Sequence, residues 1–455
     1  MLWTDVSNAQ LFRDMFSQEV CWAKNLGGWY IYNGKYWQPD DNNKIRQYQI
    51  KVYEKLMEQM AEFQGDNDAL DLFAKHVKNS GSAGRMDAML TCAHAYMGIS
   101  NDQFDADPNL FNCNNGTINL LDQAFQKFCP KDYITKISPV DFRPGSACPV
   151  WEKFIDDVFL GNRETINFIQ RAIGYSMTTS VQEHCMFIFY GLGRNGKTTF
   201  INTISKIFGM YSLGCPASSL TKKQNQGVPN DIARLKGARM VTSSENNQNV
   251  VLDESVVKQL TGDDRITARF LNKEFFDYQP TFKIFLATNH KPDIRGTDEG
   301  IWRRIRMIPF DLNLTSNQED QKLTEKLNAE LPGILLWCIE GFKRWRESGL
   351  QTPQKILDAT KNYRDEEDDI GQFIEDHCLV DPEYFVPIEK FNKQFKDINN
   401  YNKNRKLLSE YMRRKGFKPH ENRMTLPTGE QVRVFNGITL KISPYKIENR
   451  NERDD

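Results

Sequence analysis

The densest chemistry in this 455-residue chain is a run of nine residues, Gly191-Leu192-Gly193-Arg194-Asn195-Gly196-Lys197-Thr198-Thr199. The run fits G-x-x-x-x-G-K-[ST]. It follows an apolar stretch, Met186-Phe187-Ile188-Phe189-Tyr190, that reads as a strand, and it opens a helical pattern over 197–208. Its glycines let the backbone wrap until several N–H groups converge on phosphate oxygens. The Lys197 ammonium then meets the β- and γ-phosphates, and the Thr198 hydroxyl supplies a ligand to Mg²⁺. The positive end of the helix adds to the same field. Gly191, Gly193, Asn195, Gly196, Lys197, Thr198 and Thr199 are thus the expected nucleotide contacts, with ATP and Mg²⁺ as ligands.

A phosphate loop alone does not separate kinases, GTPases, motors and transporters, so the following strands must. Ala238-Arg239-Met240-Val241-Thr242-Ser243-Ser244-Glu245 is an apolar strand ending in an acid. A carboxylate there either holds Mg²⁺ or orients the attacking water, so Thr198 and Glu245 are the expected metal-side residues. Lys283-Ile284-Phe285-Leu286-Ala287-Thr288 ends in Asn289, whose neutral amide can bond both γ-phosphate and water without repulsion. Arg303, Arg304 and Arg306 follow within four positions, and one such guanidinium can reach a neighbouring subunit's phosphate.

These side chains must be carried by regular elements, and the sequence supplies them. From about residue 150 short apolar strands (185–190, 238–243, 283–288) alternate with helices (151–160, 164–177, 197–208, 254–261), the pattern of an α/β sheet protein. A long helical stretch over 320–347 closes that block. Residues 1–145 read as a separate α+β domain. Aromatic alternation flanks Asn33-Gly34, a hairpin signal, and a second hairpin is expected at Asn115-Gly116. Helical periodicity covers 44–63 and 86–97. Residues 139–149, with three prolines and a glycine, read as a linker.

Composition sets the outer limits. Lys and Arg total 59 against 60 Asp and Glu, a net charge of −1, so no uniform basic coat exists. Yet residues 385–450 hold 15 Lys/Arg against 6 Asp/Glu, a net of +9, after an acidic run at 365–369. Nine scattered cysteines never pair as C-x-x-C, so neither a disulfide framework nor a zinc ribbon is expected. The densest apolar run, 333–339, is far short of the ~20 residues a bilayer span needs. The start, Met1-Leu2-Trp3-Thr4-Asp5, is no secretory signal, so the expectation is a cytoplasmic protein with no membrane contact.

Taken together, 191–199, 242–245, 285–292 and 296–310 resemble the superfamily 3 helicases, in the variant found in primase–helicases of phages, plasmids, mobile genetic islands and poxviruses. The resemblance is dense over 150–310 and weaker upstream, where Asn114-Asn115-Gly116 and Tyr133-Ile134-Thr135 carry it. It implies an AAA+-type P-loop ATPase core, a homo-hexameric ring and 3′→5′ movement on single-stranded DNA. It makes Asn289 the sensor and favours Arg304 over Arg303 as the arginine finger, so Lys197, Glu245, Asn289 and Arg304 form the expected catalytic set. Many members end the second strand with two acids; Ser244-Glu245 gives one, and Glu245 inherits the role. The family also places a β-hairpin over 265–276, with Lys273 as a phosphate contact in the ring channel and Phe275 as a spacer or stacking group.

The basic C-terminus resembles a winged helix. One helix is expected over 385–397 and a second over 404–415, stopped by Gly416. Arg405, Arg413 and Arg414 lie away from its apolar stripe of Leu407, Leu408, Tyr411 and Met412. A wing hairpin over 423–426 and 431–435 completes the module, suited to duplex DNA. The expected domains are 1–145, an ATPase domain at 146–350, an acidic linker at 351–384 and the winged helix at 385–455. No primase signature is evident in 1–145, which makes a separate primase the expected partner. The reading is an ATP-dependent replicative helicase that also serves as initiator. The alternatives are a nucleic-acid remodeller or RNA translocase, and an initiator whose nucleotide controls only assembly.

Overall fold

The computed structural model describes residues 3–62, 67–222, 230–245, 247, 250–269, 275–294, 299–313, 320–399, 408, 409, 412, 413, 415–420, 422–426, 428–442 and 444–446. Five strands form a parallel sheet: Met186–Tyr190 (β1), Ser212–Gly214 (β2), Met240–Glu245 (β3), Lys283–Thr288 (β4) and Ile305–Pro309 (β5). Their spatial order is β5-β1-β4-β3-β2. Strands β1, β3 and β4 are the three expected from the sequence. The three-residue β2 is too short to show a period, and β5 follows the arginines without a turn signal.

Alternate side chains feed two cores, one on each face. Phe187, Phe189, Phe285 and Ile308 meet Trp151, Phe168 and Phe200 on one side. Met186, Ile188, Ile284, Leu286 and Met307 meet Val257, Leu260, Trp302 and Tyr363 on the other. Burial on both faces is why these strands read as unbroken apolar runs. The helices that matter below are Arg163–Ser176 (α1), Lys197–Phe208 (α2), Glu254–Leu260 (α3), Leu331–Ser348 (α4) and Gln354–Glu366 (α5).

The helical stretch over 320–347 is broken into Leu323–Ala329 and α4, with Pro332 in the first turn of α4, where its missing N–H costs nothing. The break frees the Glu330 carboxylate to accept the N–H groups of Val150 (3.1 Å) and Trp151 (3.0 Å), which open helix Pro149–Val158. Helices α1 and α4 cross at glycines. A Cβ on Gly341 would stand 2.0 Å from the Gln170 carbonyl oxygen, and one on Gly174 would stand 1.9 Å from the Phe342 nitrogen.

Upstream, Val20–Ala23, Gly28–Tyr32 and Trp37–Pro39 form an antiparallel sheet, with Tyr32 opposite Trp37 across the expected Asn33-Gly34 turn. Helices Asp5–Phe16, Ile45–Gln59, Asn67–Ser80 and Ala83–Met97 pack around Phe12, Val52, Phe73 and Met89. The second hairpin pairs Leu110–Cys113 with Gly116–Asn119. Its Phe111 and Ile118 enter the first core of the parallel sheet, as do Val140 and Phe142 from the linker-like stretch. The apolar core of the sheet therefore begins upstream of residue 146.

Downstream, the stretch expected as an acidic linker is built into the fold. Helix α5 sends Ile356 into one core of the sheet and Tyr363 into the other. Helix Asp369–His377 (α6) sends Ile370 and Phe373 into a C-terminal core with Val386, Phe391, Leu408, Met412 and Phe435. Asp368, within the acidic run, caps α6 through the Gly371 N–H (2.9 Å) and pairs with Lys415. Residues 385–387, expected to open a helix, instead end strand Cys378–Pro387 (β6), and helix Ile388–Asn399 (α7) starts after Pro387. Strand β6 pairs antiparallel with Val434–Leu440 (β7). Met424–Thr425 pairs with Gln431–Val432 through a turn where Gly429 has φ +87°. Of the expected second helix, residues 408, 409, 412 and 413 are described and helical; Leu408 and Met412 are buried and Arg413 is exposed. Arg405 and Arg414 lie outside the described residues. Among the described residues no helix is long and apolar enough to cross a membrane.

Candidate nucleotide-binding site

Strand register brings the expected residues to one edge. Tyr190, Thr288 and Glu245 are direct partners across β1, β4 and β3. The glycine loop leaves β1 at Gly191, Asn289 follows β4, and Glu245 is the last residue of β3. All three therefore meet at the carboxyl ends of parallel strands, where open α/β sheets bind ligands. The Gly191 N–H donates to the Thr288 carbonyl (3.3 Å), joining the loop to β4.

The loop needs its glycines. Gly196 has φ +83°, and a Cβ there would stand 2.7 Å from Val158 Cγ2; at Gly191 one would meet the Phe310 carbonyl oxygen at 2.6 Å. Asn195 is buried and its amide donates to that same carbonyl (3.3 Å), pinning the loop to the end of β5. The first helical bond of α2 runs from the Phe200 N–H to Gly196, so the N–H groups of Lys197, Thr198 and Thr199 have no acceptor within the helix. Thr198 is exposed at the mouth and Thr199 half-buried.

Lys197 shows what the cradle is suited to. Its ammonium is buried and donates to the Gly191 carbonyl (2.6 Å) and to Asn195 Oδ1 (3.0 Å), both neutral oxygens. Burial without a balancing anion pulls its pKa down to about 8. A buried cation held by neutral acceptors, beside unused helix N–H groups, fits an incoming phosphate chain. Glu245 is half-buried and its Oε1 accepts the Asn247 N–H (2.8 Å). Asn289 is half-buried in a turn held by the Thr288 hydroxyl, which accepts the His290 N–H (3.1 Å).

The arginines sit elsewhere. Ile305 is the register partner of Met186, and the Met186 N–H donates to the Arg304 carbonyl (2.8 Å), so Arg304 lies at the amino edge of the sheet. One five-residue strand, roughly 16 Å long, separates it from its own glycine loop, more than an arginine side chain spans. Its guanidinium donates to Thr261 Oγ1 (3.1 Å) and the Gly300 carbonyl (3.1 Å), whereas Arg303 is exposed. The expected DNA hairpin has paired flanks, Ile266–Ala268 with Phe276–Tyr278. Phe275 is 55% exposed with Arg269 over its ring, and Lys273 lies outside the described residues.

A parallel sheet with a glycine loop, an acid and an amide at its carboxyl edge is a P-loop-type α/β core. Residues 9–160 match the family model described as "D5 N terminal like", and 189–304 match "Family of unknown function (DUF5906)". The chain is 22% identical over 427 residues to "Putative helicase 022R" of Frog virus 3, covering 74% of this chain and 44% of that protein. It is 25% identical over 297 residues to "Putative helicase L207/L206" of Acanthamoeba polyphaga mimivirus, covering 60% and 31%. A third similarity, 27% over 234 residues, is to "Putative primase C962R" of African swine fever virus, covering 49% and 24%. The chain thus spans less than half the length of these relatives. Among solved structures, the C-terminal region (305–718) of NrS-1 is a distant likeness, with TM-score 0.45, 12% identity, and coverage of 73% of this chain and 83% of that one. Its similarity to proteins named putative helicases and a putative primase agrees with the resemblance to superfamily 3 primase–helicases that its motifs carry.

Sequence reasoning missed what holds the Asn289 turn. Lys291 pairs with Glu366, and the Ile294 N–H donates to Glu367. Lys291 lies inside the Asn289 motif and Glu366 inside the acidic run, but nothing local in the sequence shows that positions 75 residues apart meet in space.

Proposed function

We propose that the protein is an ATP-dependent replicative DNA helicase working 3′→5′ as a homo-hexameric ring on single-stranded DNA, and that its C-terminal module binds duplex DNA as an initiator does. The observation that carries this reading is the opposition of two sheet edges. The cradle, Glu245 and Asn289 stand at the carboxyl edge, while Arg303 and Arg304 stand at the amino edge of the same chain. A head-to-tail neighbour brings one chain's arginines to the next chain's cradle.

In this mechanism Lys197 and the α2 N–H groups hold the β- and γ-phosphates of ATP. Thr198 and Glu245 would hold Mg²⁺, which would supply positive charge to offset the negative charge developing on the phosphate oxygens. Glu245 orients the attacking water, and the Asn289 amide bonds water and γ-phosphate without adding negative charge. Hydrolysis moves the 266–278 hairpin, whose Lys273 in six copies gives a positive ring that tracks phosphates irrespective of sequence. The C-terminal module is read as a winged helix, a reading supported by the paired strands 424–425 and 431–432 after α6, β6 and α7 and by its +9 charge over 385–450, which suits duplex backbone.

Unwinding of tailed duplexes tests the reading. A 3′-tailed substrate should be opened with ATP and a 5′-tailed one should not. The opposite polarity would overturn the direction, and absence of ATP turnover would overturn the whole proposal. RNA-only activity would favour the translocase alternative.

A further inference from the structure

Directly after Asn289 the chain leaves the sheet through His290-Lys291-Pro292-Asp293-Ile294, and the last turn of α5 grips that segment at three points. Lys291 Nζ donates to both carboxylate oxygens of Glu366, at 2.6 and 2.8 Å. The Ile294 N–H donates to Glu367 Oε2 (3.0 Å), and the Tyr363 hydroxyl donates to the Pro292 carbonyl. Tyr363 is fully buried against Trp302, so its end of the grip is fixed by the core of the sheet. Lys291 also lies over the ring of Tyr190, 5.3 Å from its centroid, and Tyr190 is the residue before Gly191. The grip therefore touches both strand ends that carry the nucleotide cradle.

Stability does not explain this arrangement. The Lys291 and Glu366 side chains are 23% and 55% exposed, and ion pairs with an exposed partner contribute little. Three separate contacts on the four residues 291–294 instead fix position. Catalytic amides are effective only when held within a fraction of an ångström, and a misplaced group can lose up to about 100-fold in rate.

We propose that Tyr363, Glu366 and Glu367 are positioning residues for ATP hydrolysis, acting through residues 291–294 to set the Asn289 amide beside the γ-phosphate. This rests on the ATPase reading above. It assigns part of the acidic run 365–369 to the motor rather than to a tether.

Steady-state ATPase of the full chain tests it, with kcat and KM measured separately for Lys291→Met, Lys291→Arg, Glu366→Gln, Tyr363→Phe and the Lys291→Met/Glu366→Gln double variant. Each of the Met, Gln and Phe changes should lower kcat, by about tenfold for the first two, while KM for ATP stays within about twofold. The double variant should be no worse than either single one, because both remove one contact. Lys291→Arg should recover most of kcat, since a guanidinium pairs with a carboxylate through two bonds. Wild-type kcat in Lys291→Met and Glu366→Gln, in a chain that hydrolyses ATP, would overturn the positioning role. A parallel rise in KM with no recovery in Lys291→Arg would overturn it too, by indicating general damage. A wild-type rate no higher than that of Lys197→Ala would instead sink the ATPase reading, and the positioning role with it.

Discussion

Lys197 allows a prediction whose size follows from its surroundings. In the free protein its pKa is about 8, because burial penalises the ammonium and its two acceptors are neutral. A bound triphosphate places negative charge beside it and raises that pKa. Below pH 8 both free and bound forms carry the proton, so affinity is flat apart from the nucleotide's own phosphate titration near pH ~6. Above pH 8 the free lysine loses its proton while the bound one keeps it. Binding must then take up a proton, and affinity falls by about tenfold per pH unit, or ~1.4 kcal/mol, until the bound-state pKa is reached. Calorimetry with a slowly hydrolysed ATP analogue and Mg²⁺ should show little proton uptake at pH 7 and nearly one proton at pH 9, read from buffers of different ionisation heat. The fold itself responds with the opposite sign. The folded state sheds this proton before the unfolded chain, whose lysine keeps the ordinary 10.5, so nucleotide-free stability gains from Lys197 as pH rises from 8 towards 10.5. Lys197→Arg should abolish both trends. Flat affinity without proton uptake between pH 7.5 and 9.5 (values set by the shift) would refute the combination of a lowered Lys197 pKa and its placement on the phosphates.

Three further outcomes are expected. Glu245→Gln should keep nucleotide affinity but lose roughly 10²–10⁴ in single-turnover hydrolysis, the range of a general base; a loss under tenfold would remove Glu245 from the water's path. Arg303→Ala or Arg304→Ala should be rescued by mixing with Lys197→Ala chains if that arginine acts on a neighbour. Arg304→Ala, as the proposed finger, should show this rescue; a loss that mixing does not repair would leave Arg304, bonded to Thr261 and Gly300, a structural residue and pass the role to the exposed Arg303. Gly341→Ala forces a Cβ to within 2.0 Å of the Gln170 carbonyl oxygen, so helices α1 and α4 must separate. A loss of about 1–3 kcal/mol is expected, and an unchanged melting temperature in scanning fluorimetry would mean that the crossing yields more easily than its backbone contacts imply.

The residues of the candidate site were legible because each lies in a local pattern. Gly191 to Thr199 form one loop, and Glu245 and Asn289 each end an apolar run whose buried faces make it readable as a strand. What was not legible depends on pairing between distant segments. The order of β1, β4 and β3 is set by which strand edges meet, not by any one strand's composition, and the clamp on residues 291–294 closes across more than 70 positions. Residues 351–384 misled because charge suggests solvent. Only one face of α5 needs to be apolar, and Ile356 and Tyr363 suffice to bury it while its acids point at Lys291 and the Ile294 N–H. The helix expected over 385–397 was displaced for a related reason: Phe385 and Val386 pair with β7, and a helix cannot start before that ladder ends at Pro387.

Under the proposed function, the geometry of the sheet bears on how many chains a hydrolytic event needs. A phosphate cradle and its arginines at opposite ends of the same short strands cannot meet within one chain, because the strand between them is rigid and longer than the side chain. Two chains related by a two-fold axis would set like edges against each other or leave both cradles facing away. A translation-like, head-to-tail contact is the relation that presents an amino edge to a carboxyl edge, and a heterologous contact of that kind closes into a ring when its rotation divides the circle. Under the proposed function, Thr261 connects two of these parts. It closes helix α3, just ahead of the 266–278 hairpin, and it accepts the Arg304 guanidinium. In the proposed ring, Thr261 would link the base of the hairpin to Arg304 and so to the arginines facing the next subunit's nucleotide.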